Sequence, residues 1–421
     1  MENISMNKNP VRGMRDFTPV EMELREYVLK IIEDVAIQGG YQKIETPAVE
    51  YLENLSSKEG GENENLIFKI MKRGKSLVDA KEKGSELADG GLRYDLTVPL
   101  ARYFANNQAN LCMPFKALQI GPVWRADRPQ KGRFRQFLQC DMDILGESTI
   151  LAEIDTIITT IEILSKIFKD TKVSDITIHL NDRRFLTAAA SFAGFIEADF
   201  SSVLITLDKN DKIGWIGVKD ELIKLGYDSQ KVVMFTKLFE DIEDGITIDE
   251  FCYKLGDSIP TIKVIEDLKS ILEVITKLTE VSAKIIFDPT LVRGMGYYTG
   301  PIFECSLSEL SSSVAGGGRY DKMIGKFSGG TDVSACGFSI GFERIITILN
   351  DLGFSPEFNK EKMAILVNKK ISTQRLTEVF ASANLLRSEK IVSVLPMRKN
   401  IKFQIEMLEK DGYSLFDKIF K

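Results

Sequence analysis

Between Val123 and Asp143 the chain reads VWRADRPQKGRFRQFLQCDMD, and few folds accommodate that stretch. Five cations, Arg125, Arg128, Lys131, Arg133 and Arg135, fall within eleven residues and are opposed only by Asp127. Pro129 and Gly132 sit where a turn would fall, and QFLQCDMDIL beyond them reads as a strand. An antiparallel hairpin with arginines on both arms is therefore expected. A guanidinium is a planar fork of donors matched to phosphate oxygens, so such a hairpin can grip a polyphosphate. A solvated basic loop is the other reading that the run allows by itself.

At 421 residues the chain exceeds what one core organises, and two or three domains are expected. It is 44% apolar but has no apolar run long enough to span a bilayer, which points to a globular protein without membrane attachment. The opening residues, MENISMNKNP, contain no apolar segment of a secretory signal. Five scattered cysteines (Cys112, Cys140, Cys252, Cys305, Cys336) form no CxxC pair, consistent with a reduced, cytoplasmic setting. The one histidine, His179, lies in the strand-like ITIHL and reads as structural. A lone histidine argues against a histidine-rich metal site and against serine–histidine or cysteine–histidine nucleophilic chemistry. Any chemistry must run on carboxylates, arginines, tyrosines and a bound cation.

Residues 21–38 have helical spacing and stop at Gly39-Gly40, whereas 57–65 and 73–91 are polar and read as loops around the apolar LIFKIM. LRYDLTVP sets Arg93 and Asp95 just before a helix expected to open near Thr97, with Pro99 in its first turn. Residues 206–278 are helical, laced with charge and free of arginine, and read as an inserted module. Strands joined by glycine turns return in LVRGMGYYTGPIFE and GGGRYD, and GFSIGFERI runs from a buried strand into a helix. The tail alternates strand (363–367), helix (371–388), strand (391–395) and helix (399–411). Its residues 360–421 hold 13 Lys/Arg against 7 Asp/Glu in a chain of net charge −6, so a polyanion partner is suggested there. The expectation is an α+β body rich in antiparallel hairpins with a small α/β tail.

RGMRDFTP (residues 12–19), LRYDLTVP (92–99), WRADRPQKGRFRQFLQCD (124–141), LVRGMGYYTGPIFE (291–304), GGRYD (317–321) and GFSIGFERI (337–345) occur in this order. Together they resemble the histidyl-tRNA synthetase family of class II synthetases. The resemblance implies an antiparallel sheet flanked by helices. The catalytic core would fall in residues 1–205 and 279–355, the helical insertion in 206–278, and a shortened anticodon-binding-like α/β domain in 360–421. It implies activation of histidine by ATP and transfer of the product to tRNA(His), by a homodimer, with Mg2+ on the phosphates and no assignable metal ligands. By similarity Arg125 and Arg293 would meet the α-phosphate, while Arg133 and Arg344 would hold the rest of the ATP. Asp95, Thr97 and Gln139 would receive the histidine ammonium. Asp143, Tyr297, Tyr298 and Tyr320 would surround the imidazole. A non-catalytic relative, such as the synthetase-like regulatory subunit of ATP phosphoribosyltransferase, is the alternative that the same fold allows.

Overall fold

The computed structural model describes residues 6–420 apart from 57–64, 130–133, 174, 241, 243–244, 280–282, 294–297, 308–309 and 357–360. Its strands are β1 (Gln42–Ile44), β2 (Val49–Tyr51), β3 (Lys69–Met71), β4 (Ala88–Leu92), β5 (Phe115–Trp124), β6 (Gln136–Leu145), β7 (Ile176–Asp182), β8 (Lys284–Phe287), β9 (Pro301–Leu307), β10 (Leu310–Arg319), β11 (Ala335–Ile340), β12 (Lys362–Val367), β13 (Ile391–Pro396) and β14 (Tyr413–Ile419). Eight of them form one sheet in the order β1-β5-β6-β11-β10-β9-β7-β8. Its two outermost pairings are parallel and the five inner ones antiparallel. The α+β expectation holds. The arginine-rich hairpin is β5–β6, paired without a break from Phe115↔Leu145 to Trp124↔Gln136.

Because strand side chains alternate, β6 divides its residues between two faces. Cys140, Met142 and Ile144 are buried on the apolar face. There the helix Leu151–Phe168 covers the sheet, and its Thr156 hydroxyl meets Cys336 on β11 at 3.8 Å. Gln139, Asp141 and Asp143 belong to the other face. Pro47 separates β1 from β2.

Arg319 of GGRYD faces the helix side rather than the polar side. Its guanidinium meets both Glu153 oxygens at 2.5 and 2.8 Å and the carbonyls of Glu147 and Thr149 at 3.0 Å. Glu153 is 1% exposed, so Arg319→Ala strands a buried carboxylate. The variant is expected to lose about 3–5 kcal/mol in urea unfolding. A loss below about 1 kcal/mol would mean that water replaces the arginine.

Between β7 and β8 stand the helices Arg183–Phe192, Glu197–Leu207, Asn210–Lys224, Ser229–Glu240, Ile248–Leu255 and Ile262–Thr279. Phe235 and Phe239 of Ser229–Glu240 and Phe251 of Ile248–Leu255 tie two of them together, with ring centroids 5.1 and 6.2 Å apart along that series. Two expectations need correction. Residues 74–83, read as loop, form the helix Gly74–Lys83, which ends at Gly84 in the left-handed conformation (φ 62°). The helix buries only Ala80, so its sequence lacks the apolar stripe that would have marked it. The tail also has a third strand, β14, beside β12 and opposite β13.

The chain divides into two compact units, one holding residues 28–353 and the segment before 17, the other holding 17–27 and 354–421. In the second unit, Ile365, Val367, Val379, Ala383 and Val392 form one small core. Ala364, Leu366 and Met397 form another. The Lys362 ammonium pairs with Glu23, and Tyr27 packs on Phe354 with centroids 5.6 Å apart, so the start of the helix Pro19–Gln38 belongs to the tail unit.

Candidate active site

On the polar face of the eight-stranded sheet lies a cavity of about 190 Å³. Asp95, Thr97, Arg125, Gln139, Asp143, Tyr298 and Tyr320 all line it, joined by Leu66, Tyr94, Asp141 and Ser339. These residues span more than 270 positions of sequence and meet because β5, β6, β11 and β10 are neighbours. Asp95 and Thr97 arrive from the start of the helix Thr97–Asn107, where the Asp95 carboxylate accepts from the Val98 N–H at 3.2 Å.

The arginines differ in position. Arg125 follows β5 directly, its Nε donating to the Tyr94 carbonyl at 2.9 Å and its guanidinium 5.1 Å from the Phe137 ring centroid. Arg293 is not among the cavity's lining residues but lies beside Gly316, which is. It pairs with Glu304 on β9 and lies against the Cα of Gly316, where a Cβ would fall 2.5 Å from its Cζ. Arg344 does not line the cavity. From the first turn of the helix Phe342–Asp351 it donates to the Ser313 carbonyl, on the strand that also carries Gly316. Arg133 and Tyr297 lie outside the described residues.

Three carboxylates face this cavity with Arg125 as the cation among its described lining residues, and burial works against their charge. Asp141 is pushed up to about 7, chiefly by burial and further by Asp95, with the Ser339 hydroxyl and Arg125 pulling the other way. Burial, then the Asp141 charge, lifts Asp143 well above the usual carboxylate range, against the bond from Tyr320. Asp95 is raised too, again by burial, with the Val98 N–H and Arg125 opposing. The Tyr320 hydroxyl donates to Asp143 Oδ1 at 2.5 Å. Asp143 Oδ2 and Gln139 Oε1 are buried without a hydrogen-bond partner. Two acceptors kept from water and left unmet call for a ligand rich in N–H donors.

A carboxyl raised in the folded state weakens folding once it ionises. For Asp141 that penalty is absent below about pH 4, grows as pH rises toward about 7, and is complete above it. Asp141→Asn is therefore expected to raise the melting temperature of the ligand-free protein at pH 8 more than at pH 5.5. An equal shift at both values would show that Asp141 carries no such strain.

A family model described as histidyl-tRNA synthetase matches residues 13–345. The chain belongs to the histidyl-tRNA synthetase family. It is 45% identical over 350 residues to a histidine–tRNA ligase of Leifsonia xyli, covering 81% of this chain and 80% of that one. It is 38% identical to a probable histidine–tRNA ligase of Tropheryma whipplei over 97% of this chain and 94% of the relative. Among solved structures, a histidyl-tRNA synthetase from Nostoc sp. PCC 7120 superposes with a TM-score of 0.75 at 26% identity, covering 97% and 90% of the two chains. A Bacillus halodurans chain titled ATP phosphoribosyltransferase regulatory subunit/histidyl-tRNA synthetase reaches 0.74 at 18% identity over 99% of each chain, which speaks to fold alone. Membership in the synthetase family brings with it a ligase that uses ATP.

For a histidyl-tRNA synthetase site, the sequence reading left out Asp141, Ser339 and Glu304. Asp141 was within reach, since Gln139, Asp141 and Asp143 stand two apart on one strand and share a face. Ser339 and Glu304 had no such signal. Their roles arise from the pairings Ser339↔Asp141 and Glu304↔Gly316, which local sequence does not encode.

Proposed function

We propose that this chain activates histidine with ATP to histidyl-adenylate and then passes the histidyl group to tRNA(His). The observation that carries this reading is one cavity holding unmet buried acceptors on Gln139 and Asp143 beside the Arg125 guanidinium. Histidine offers an ammonium at one end and ring nitrogens at the other, so it supplies donors to both acceptors. Asp95, Thr97 and Gln139 take the ammonium. Asp143, fixed by Tyr320, takes one ring nitrogen, and Tyr298 meets the other side of the ring.

In the first step an oxygen of the histidine carboxylate bonds to the α-phosphorus of ATP while the bond from that phosphorus to the bridging oxygen breaks. Pyrophosphate leaves. The carboxylate is already ionised, so no base is required, in keeping with a chain whose one histidine is bonded to Asp288 and Ser306 on another part of the sheet. The demand is for positive charge around phosphate oxygens, and preorganised donors meet it. Arg125 and Arg293 serve the α-phosphate, and Arg344 serves the far end of the nucleotide. In the second step a terminal ribose hydroxyl of tRNA attacks the activated carbonyl and AMP leaves.

Among the described residues no group of three or more acidic, cysteine or histidine side chains could hold a metal ion. Mg2+ is read as accompanying the triphosphate, whose oxygens are its natural ligands. A homodimer in the cytoplasm completes the reading. The contact is read as involving residues 21–51, where Val49 and Tyr51 of β2 are 50% and 67% exposed.

The purified chain is expected to exchange pyrophosphate into ATP with histidine and with no other amino acid, and to charge tRNA with histidine. Histidine binding without exchange would favour the regulatory-subunit alternative, for which an arginine at the cavity has no use.

A further inference from the structure

The Gln139 side chain lies in an asymmetric setting. Its Nε2 donates to Asp141 at 3.3 and 3.4 Å and to the Ser339 hydroxyl oxygen at 3.1 Å. The Ser339 hydroxyl in turn donates to Asp141 Oδ1 at 2.5 Å. Both amide hydrogens and the serine hydrogen are thus committed, while Gln139 Oε1 is buried and unmet. An amide has two nearly equivalent orientations, and only a neighbouring set of acceptors fixes which end faces outward. Here Asp141 is 4% exposed, Gln139 is 8% exposed, and Ser339 sits across from Asp141 in the β6–β11 register, so the acceptors come from two strands and are held.

We infer that Asp141, with Ser339, is a positioning residue that locks the Gln139 amide so that its oxygen is presented to the ammonium of the bound amino acid. The inference rests on the histidine-binding reading given above. Asp141 has its oxygens taken up by Ser339 and Gln139, so it acts through the glutamine rather than on the substrate. An asparagine at 141 brings its own N–H donor toward Gln139, which can turn the glutamine over. The amide NH2 would then face the ammonium, and donor would meet donor. A hydrogen bond to a charged group is replaced by a repulsion, so histidine binding should weaken by about 10–100-fold.

The test is equilibrium titration of wild type, Asp141→Asn and Ser339→Ala with histidine and with imidazolepropionate, which keeps the ring and carboxylate but lacks the ammonium. Asp141→Asn should weaken histidine by that factor and leave imidazolepropionate within about threefold. Ser339→Ala, which removes one of two acceptors, should fall between Asp141→Asn and wild type. In a Gln139→Met background, Asp141→Asn should add nothing further, because no amide remains to be turned. Equal weakening of both ligands, an undiminished loss in the Gln139→Met background, or wild-type histidine affinity in Asp141→Asn would each overturn the inference. Failure of wild type itself to bind histidine would instead remove the reading on which it rests. Thermal unfolding of each variant shows whether it is folded, and Ser339→Ala carries the test if Asp141→Asn is not.

Discussion

Arg125→Ala lowers histidine-dependent exchange of pyrophosphate into ATP by about 10²–10³-fold, the loss expected when one preorganised donor to a charged transition state is removed. Arg125 lines the cavity and is held from two sides, by the Tyr94 carbonyl at 2.9 Å and by the Phe137 ring. Fixed in this way, the guanidinium needs little reorganisation when charge builds on the phosphate. Histidine affinity in the absence of ATP should change little, because Gln139 and Asp143 are untouched. The melting temperature should stay near that of wild type. A variant that keeps more than a tenth of its exchange rate would place the phosphate elsewhere.

Gly316→Ala is expected to approach the effect of losing Arg293 altogether, without touching a charged residue. The added Cβ would stand 2.5 Å from Arg293 Cζ and Nη1 and 2.9 Å from Nη2. The end of a long side chain gives way far more readily than a strand, so the guanidinium moves away from its place beside residue 316 while the sheet persists. Exchange should fall by about 100-fold with a melting temperature within a few degrees of wild type. If Gly316→Ala is fully active, Arg293 does not act from the position it holds over β10. If it is inactive because it unfolds, the glycine serves the sheet and not the arginine.

The β5–β6 hairpin was legible because its signals are local: cations flanking a proline and a glycine, then an alternating run. The helix at Thr97 was equally legible, with its aspartate at the start and Pro99 in its first turn. Less could be read where structure depends on distant partners. β14 alternates only weakly in burial and pairs with β12 alone, so nothing in its own sequence announced a third strand. The helix Gly74–Lys83 was hidden by a polar composition that buries one alanine. In the site, Asp143 and Tyr298 were found by resemblance, whereas Arg293's place over Gly316 depends on β9, β10 and β11 lying side by side. Arg319 shows the same limit from the other direction. It lies in GGRYD next to Tyr320, which lines the cavity, yet its side chain crosses to the apolar face and anchors Glu153. Adjacent strand residues face opposite ways, and a motif does not say which of its members works at the site.

The most direct measurement is calorimetric titration with L-histidinol, which has the ammonium and imidazole of histidine but no carboxylate to react. With Gln139 and Asp143 binding those two groups, histidinol should bind one-to-one to wild type and about 100-fold or more weakly to Asp143→Ala. Equal affinity for wild type and Asp143→Ala, with both proteins folded, would contradict it.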